Sequence, residues 1–199
     1  MEHSIQENRS LSRTASPGRA IKVGLIAGVV ASLAMGVFAM MASATYQGTG
    51  LFTPLYHIGS AFGSESAANA MGASMEEAGT GEAFYFAAGP AALGMAIHVM
   101  VGAVWGLIFG LLVHVMRISR VGVIVAGVLF GLLVMLVMSF LVLPAVASMF
   151  GSGPPIAEMA SMVGWGTFAL EHAIFGLVVG WGSKSLARRS GEADSRAAH

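Results

Sequence analysis

The sequence predicts an all-α integral membrane protein with four transmembrane helices, arranged as two parallel-repeated helical hairpins. Three observations carry this. Only 10% of the 199 residues are charged, where a soluble domain has about 25%. Apolar residues make up 56% of the chain. No Lys or Arg lies between Lys22 and Arg117, or between Arg120 and Lys184, and four long apolar runs fill those gaps. A formal net charge of zero removes the general argument for nucleic-acid binding. With no cysteine, disulfides, thiolate chemistry and Cys-based metal sites are excluded.

In chain order, residues 1–21 are polar and read as a disordered cytoplasmic N-terminus. The first apolar run, about 23–44, meets the ~20 residues needed to cross a hydrocarbon core of about 30 Å. Ala42-Ser43-Ala44 has the small residues of a leader cleavage site, but the run exceeds the 7–15 residues of a leader's apolar region. We expect it to be retained. The segment 46–86 reads as an outer loop anchored by its aromatic residues, and Ser64 to Glu77 fits either a short amphipathic helix or plain loop. The runs 87–116 and 121–149 are long enough to tilt, and Gly151-Ser-Gly-Pro-Pro155 turns the chain into the fourth, about 160–183. Lipid cannot satisfy open backbone groups, so these runs must be helical; nothing shows barrel-type alternation. Residues 185–199 read as a cytoplasmic tail, and 22–184 as the membrane domain.

With four crossings, all ten basic residues fall on one side: Arg9, Arg13, Arg19 and Lys22, then Arg117 and Arg120, then Lys184, Arg188, Arg189 and Arg196. The positive-inside rule therefore predicts cytoplasmic termini. Glu65, Glu76, Glu77 and Glu82 fall on the opposite side.

Helices 2 and 4 share a pattern, His98-x3-Gly102-x3-Gly106 and His172-x3-Gly176-x3-Gly180. With 27 glycines in 199 residues, two at fixed places after a given His arise by chance roughly one time in fifty. Gly24-x3-Gly28 and Gly127-x3-Gly131 in helices 1 and 3, each followed by a proline (Pro54, Pro144), give weaker support. Two crossings per unit make the repeats parallel. Lipid gives no hydrophobic advantage to helix contact, so these glycines are expected to pack helices, within the chain or across a homo-oligomer face. The chain resembles, over roughly residues 22–183, a family of uncharacterised four-helix prokaryotic membrane proteins. The run Val23-Gly-Leu-Ile-Ala-Gly28, the two His-x3-Gly patterns, Gly127-Val-Leu-Phe-Gly131 and Pro144 carry the resemblance. It implies a prokaryotic plasma (inner) membrane location and no established activity.

Few ionisable residues lie deep in the runs: His98, Glu171 and His172, with His114 nearer the basic end. Helices 2 and 4 run the same way, which puts His98 and His172 at similar depth. A carboxylate there costs about 2.5–3.5 kcal/mol on insertion scales, so Glu171 is expected to face inward, bonded or protonated. The three residues fit helix-fixing hydrogen bonds, a proton, cation or metal path, or haem b between two imidazoles. His98 and His172 are the metal-ligand candidates; Met135, Met138, Met159 and Met162 are softer and weaker ones. Trp105, Trp165 and Trp181 fit interfaces or packing. No phosphate loop, His-Glu-x-x-His or Gly-x-Ser-x-Gly is present, and no resident cofactor or enzymatic activity is expected. The lipid bilayer and other membrane proteins are the expected partners. The first functional reading is a structural or accessory component of a homo-oligomer or larger membrane complex. The alternative is a small transporter or channel-like unit past His98, Glu171 and His172, and the third a haem b electron carrier.

Overall fold

The computed structural model describes residues 16–186, which form helices and no β-strand. Arg9, Arg13, Arg188, Arg189 and Arg196 lie outside the described residues. Helix α1 spans Pro17–Ala42. It starts six residues before the expected run because Ser16 Oγ accepts from the Arg19 N–H and Pro17 presets the first turn. Residues 17–21 are therefore helical, which shortens the tail expected over 1–21. A π-turn, Ser43–Gln47, follows and ends at Gly48 in the left-handed region (φ 62°). Helix α2 (Thr53–Gly59) and helix α3 (Glu65–Gly79) occupy the 46–86 segment. The segment is a folded cap: α3 answers to the helical alternative for Ser64 to Glu77, with Ser64 capping it through the Ala67 N–H, and α2 is a helix where the sequence predicts loop. Helix α4 is Ala88–Met116, closed by Arg117 at φ 50°.

Helix α5 (Gly122–Val137) continues through a π-turn, Met138–Val142, into helix α6 (Leu143–Phe150). Pro144 has no N–H and its ring would strike the carbonyl of Phe140; the wider turn just before it accommodates both defects. Two short helices follow, α7 (Pro154–Ala157) and α8 (Met159–Val163). Gly164, at φ 89°, then breaks the chain before helix α9 (Trp165–Gly182). The run expected as one helix over 160–183 is thus two, because Gly164 holds a backbone conformation that other residues resist.

Among the described residues, three helices are long and apolar enough to cross a membrane: Pro17–Gln47, Ala88–Met116 and Gly122–Phe150, with mean hydropathy 2.3, 2.2 and 2.8. Helix α9 has 18 residues, about 27 Å at 1.5 Å per residue, and Glu171 and His172 dilute its apolar character.

The long helices form a ring in the order α4, α1, α9, α5, with closest packing within α1/α4 and α5/α9. Both pairs are antiparallel and meet through glycine. A methyl placed on Gly24 would lie 2.6 Å from the Gly106 carbonyl oxygen, and one on Gly110 2.6 Å from that of Ala20. Gly28 and Gly102 face each other across the same seam. In the second pair, a methyl on Gly127 would lie 2.8 Å from Gly180 Cα, while Gly131 abuts the His172 carbonyl and Gly176 the Gly127 carbonyl. Helix α9 reaches α1 where Gly182 meets Ala27. Between α4 and α5 the contact is aromatic, Phe109–Phe130 at 5.1 Å and Trp105–Phe130 at 6.0 Å between centroids. The outward faces carry exposed apolar residues: Ile26, Val30 and Val37 on α1, Met100 and Val104 on α4, Leu129 and Leu133 on α5, Leu170 and Leu177 on α9.

The cap is tied down by hydrogen bonds. Tyr56 Oη accepts from the Ala87 N–H (2.8 Å) and donates to the Tyr85 carbonyl (3.0 Å). His57 Nε2 donates to the Pro155 carbonyl (2.8 Å), joining α2 to α7, and Gln47 Nε2 donates to the Val163 carbonyl (2.8 Å). Gly94 lets the α2 backbone at Leu55 rest directly on α4. Among the described residues, Arg19, Lys22, Arg117, Arg120 and Lys184 mark one end of the bundle. Glu65, Glu76, Glu77, Glu82 and Glu158 mark the capped end.

Candidate functional site: a chamber beneath the cap

The bundle is packed differently along its length. Toward the basic end, Phe109, Val113, Val123, Phe130, Phe175 and Val179 fill a continuous core between the glycine seams. Toward the capped end the helices border a partly open chamber of about 480 Å³, to which α2, α3 and α8 also contribute lining. That volume lies within the 300–1,000 Å³ usual for small-molecule sites. The lining is mostly apolar: Met35, Met138, Met159, Trp105, Phe168 and Phe175 contribute much of it.

His98, Glu171 and His172 all line this one chamber. His98, from α4, donates Nε2–H to the Ser32 carbonyl of α1 at 2.8 Å. The bond crosses the seam just above the Gly28/Gly102 contact and leaves Nδ1 as the remaining ring nitrogen. His172 donates Nδ1–H to the Phe168 carbonyl one turn earlier (2.8 Å), which fixes the opposite tautomer and leaves Nε2. Its ring packs on that of Phe168, centroids 4.5 Å apart. Glu171 is 5% exposed, lines the chamber and has no hydrogen-bond partner among the described residues. A carboxyl in that position is costly unless something in the chamber completes it. Among the described residues, no three His, Asp or Glu side chains are grouped so as to hold a metal ion.

Met138, Met159 and Met162 also line the chamber, whereas Met135 packs against the cluster around Leu143 and Phe168. Trp165 lies outside, stacked on Phe140 at 5.6 Å, and Trp181 is exposed. His114 sits in the last turn of α4, away from the chamber.

Sequence reasoning missed His57, Ser43 and Gln47, which line the upper part of the chamber. His57 is buried in α2; desolvation pushes its pKa below the usual 6.5, and the bond to the Pro155 carbonyl opposes that in part. Thr53-Pro54 at the start of α2 was the available signal, because proline presets a first helical turn.

The fold and site define a class: a protein whose described residues are helical, with three helices long and apolar enough to cross a membrane and an apolar chamber holding one unpartnered carboxyl. Comparison with protein-family models, curated proteins and solved structures finds no match for the chain.

Proposed function

We propose that this is a four-span membrane protein that binds a small molecule in a chamber within the outer half of its bundle, as a small transporter or receptor unit. The observation that carries the reading is Glu171, buried and unpartnered in an otherwise apolar chamber. The packed core toward the basic end favours a chamber entered from the capped side over an open pore. Helix α9 counts as the fourth span on its exposed Leu170, Leu177 and Trp181, which continue the apolar belt of the other three. The basic end is then cytoplasmic, with both termini there, and the two His-x3-Gly pairs are parallel repeats. A prokaryotic plasma membrane is the location that the resemblance read from the sequence alone would imply. We rank an accessory role in a homo-oligomer below this reading because the glycine rows that would form an oligomer face meet each other inside the bundle. No cofactor is assigned.

The chain has no cysteine, so single cysteines report cleanly. In spheroplasts, Ala39→Cys and Gln47→Cys in the chamber should react with a small thiol reagent added outside. Val113→Cys in the packed core should not. Equal labelling at all three positions, or none at the first two, would sink the chamber reading.

A further inference from the structure

The lining has a polarity of its own. Its hydroxyl and amide donors point away from the chamber and into backbone carbonyls, while the indole N–H of Trp105, also in the lining, has no hydrogen-bond partner among the described residues. Ser32 Oγ donates to Val29 (2.9 Å), Ser43 Oγ to Gly50 (2.5 Å), Gln47 Nε2 to Val163 (2.8 Å), and Thr53 Oγ1 to Thr49. The chamber histidines do the same, His98 toward Ser32 and His172 toward Phe168. Each neutral imidazole keeps one lone-pair nitrogen, and Glu171 keeps two acceptor oxygens. Among the described residues, no Lys or Arg lines the chamber. What would complete Glu171 is a donor, and a cationic donor is the one that would hold its carboxyl ionised in this desolvated position.

The rest of the lining sets the body of the ligand. Thioethers of Met35, Met138 and Met159 and rings of Trp105 and Phe168 leave little to solvate a bare or hydrated inorganic ion. They suit an alkyl or aryl body, with ring faces available to a cation. Resting on the chamber reading above, we propose that the ligand is a primary or secondary organic ammonium ion with an apolar body. Its N–H groups bond Glu171, and its body lies among the methionines and aromatic rings. In a desolvated site a charge-assisted pair outweighs a neutral hydrogen bond, so charge and not shape decides among isosteres.

Three probes of one shape test this: 4-phenylbutylammonium, 4-phenylbutanol and 4-phenylbutyrate, titrated calorimetrically into the purified full chain in lipid nanodiscs. The ammonium should bind about tenfold or more tightly than the alcohol, and the carboxylate should bind weakest. Glu171→Gln should bring ammonium and alcohol to equal affinity, and Glu171→Asp should keep the order. Selectivity is read first in the unaltered chain, so a Gln variant that fails to fold leaves the test decisive. Ammonium and alcohol binding equally well to the unaltered chain would overturn the cation assignment while leaving the chamber reading in place. Preference for the carboxylate, or ammonium preference unchanged in a folded Glu171→Gln, would likewise overturn it. Binding of none of the three would remove the chamber reading and the assignment together.

Discussion

Gly106 gives the sharpest test of how the bundle closes. Its α-carbon lies in the α1/α4 seam, and a methyl there would overlap Gly28 Cα while standing 2.5 Å from the Gly24 carbonyl oxygen and 2.7 Å from Gly28 N. Ordinary contact begins near 3.4 Å, so the seam must open by about 0.9 Å on the Gly24 oxygen alone. All three atoms are helix backbone, and none can rotate aside. Overpacking of this kind costs about 1–3 kcal/mol, and a rigid neighbour puts Gly106→Ala at the upper end. Ala is the better helix former by about 1 kcal/mol, which offsets part of that. A net loss of about 2 kcal/mol corresponds to roughly 4–8 °C in thermal midpoint for a chain of this size. Gly166→Ala in α9 is the control: nothing lies within 4 Å of the added methyl, so only the helix gain remains. Thermal unfolding of both variants in one detergent, followed by tryptophan fluorescence, separates them. Gly106→Ala as stable as Gly166→Ala would show that the seam is not closely packed in the protein, and the reasoning would fail.

Three further outcomes follow from the cap and the charge distribution. Tyr56→Phe removes two hydrogen bonds and strands the Ala87 N–H, so the cap should weaken by about 1–3 kcal/mol; faster chymotrypsin cleavage between residues 46 and 86 would register it. Trypsin is unsuitable because that segment has no Lys or Arg. His57 is disfavoured as a cation in the folded cap, so the unfolded state takes up more protons as pH falls below 6.5. Stability should be fully present above pH 6.5 and decline below it, and His57→Gln should flatten that decline; an unchanged pH profile would count against the burial argument. Reporter fusions at residues 60 and 152 should read outside, and those at 119 and 190 cytoplasmic, with a cytoplasmic reading at 60 overturning the four-span arrangement.

The helical class and the three long apolar helices were legible because lipid imposes one requirement, internal pairing of every backbone group, over about 20 residues at a time. The break at Gly164 was not, since a glycine inside an apolar run reads equally as packing residue or hinge until φ is known; here it is 89°. In the cap, the sequence leaves α3 open between helix and loop and reads as loop over α2, for a related reason. Helices α2 and α3 are short, and what holds them is contact with partners distant in sequence, such as Tyr56 with Ala87 and His57 with Pro155. At the candidate site, His98, Glu171 and His172 stood out as costly residues in apolar runs. Their shared chamber depends on the spacing of four helices, which no local pattern encodes.

That spacing has a local cause. Below the chamber, glycine faces glycine in both seams, so α1/α4 and α5/α9 approach at backbone distance and large side chains fill the space between the pairs. Above it the pattern changes residue by residue. Gly28 gives way to Ser32, whose carbonyl takes the His98 bond, then to Met35 and Gly36 on the chamber wall. On α5, Gly127 and Gly131 give way to Val134 and Met138, where the π-turn begins. A π-turn adds a residue to its ring and moves the following backbone outward, and both turns, Ser43–Gln47 and Met138–Val142, contribute to the chamber wall. Larger residues and wider turns thus hold the helices apart on the side where the glycine rows stop. Glu171 and His172 sit near the middle of α9, where the seams give way to the chamber. The same polar residues one turn lower would have met the packed core, where an unpartnered carboxyl has no space for a ligand to complete it.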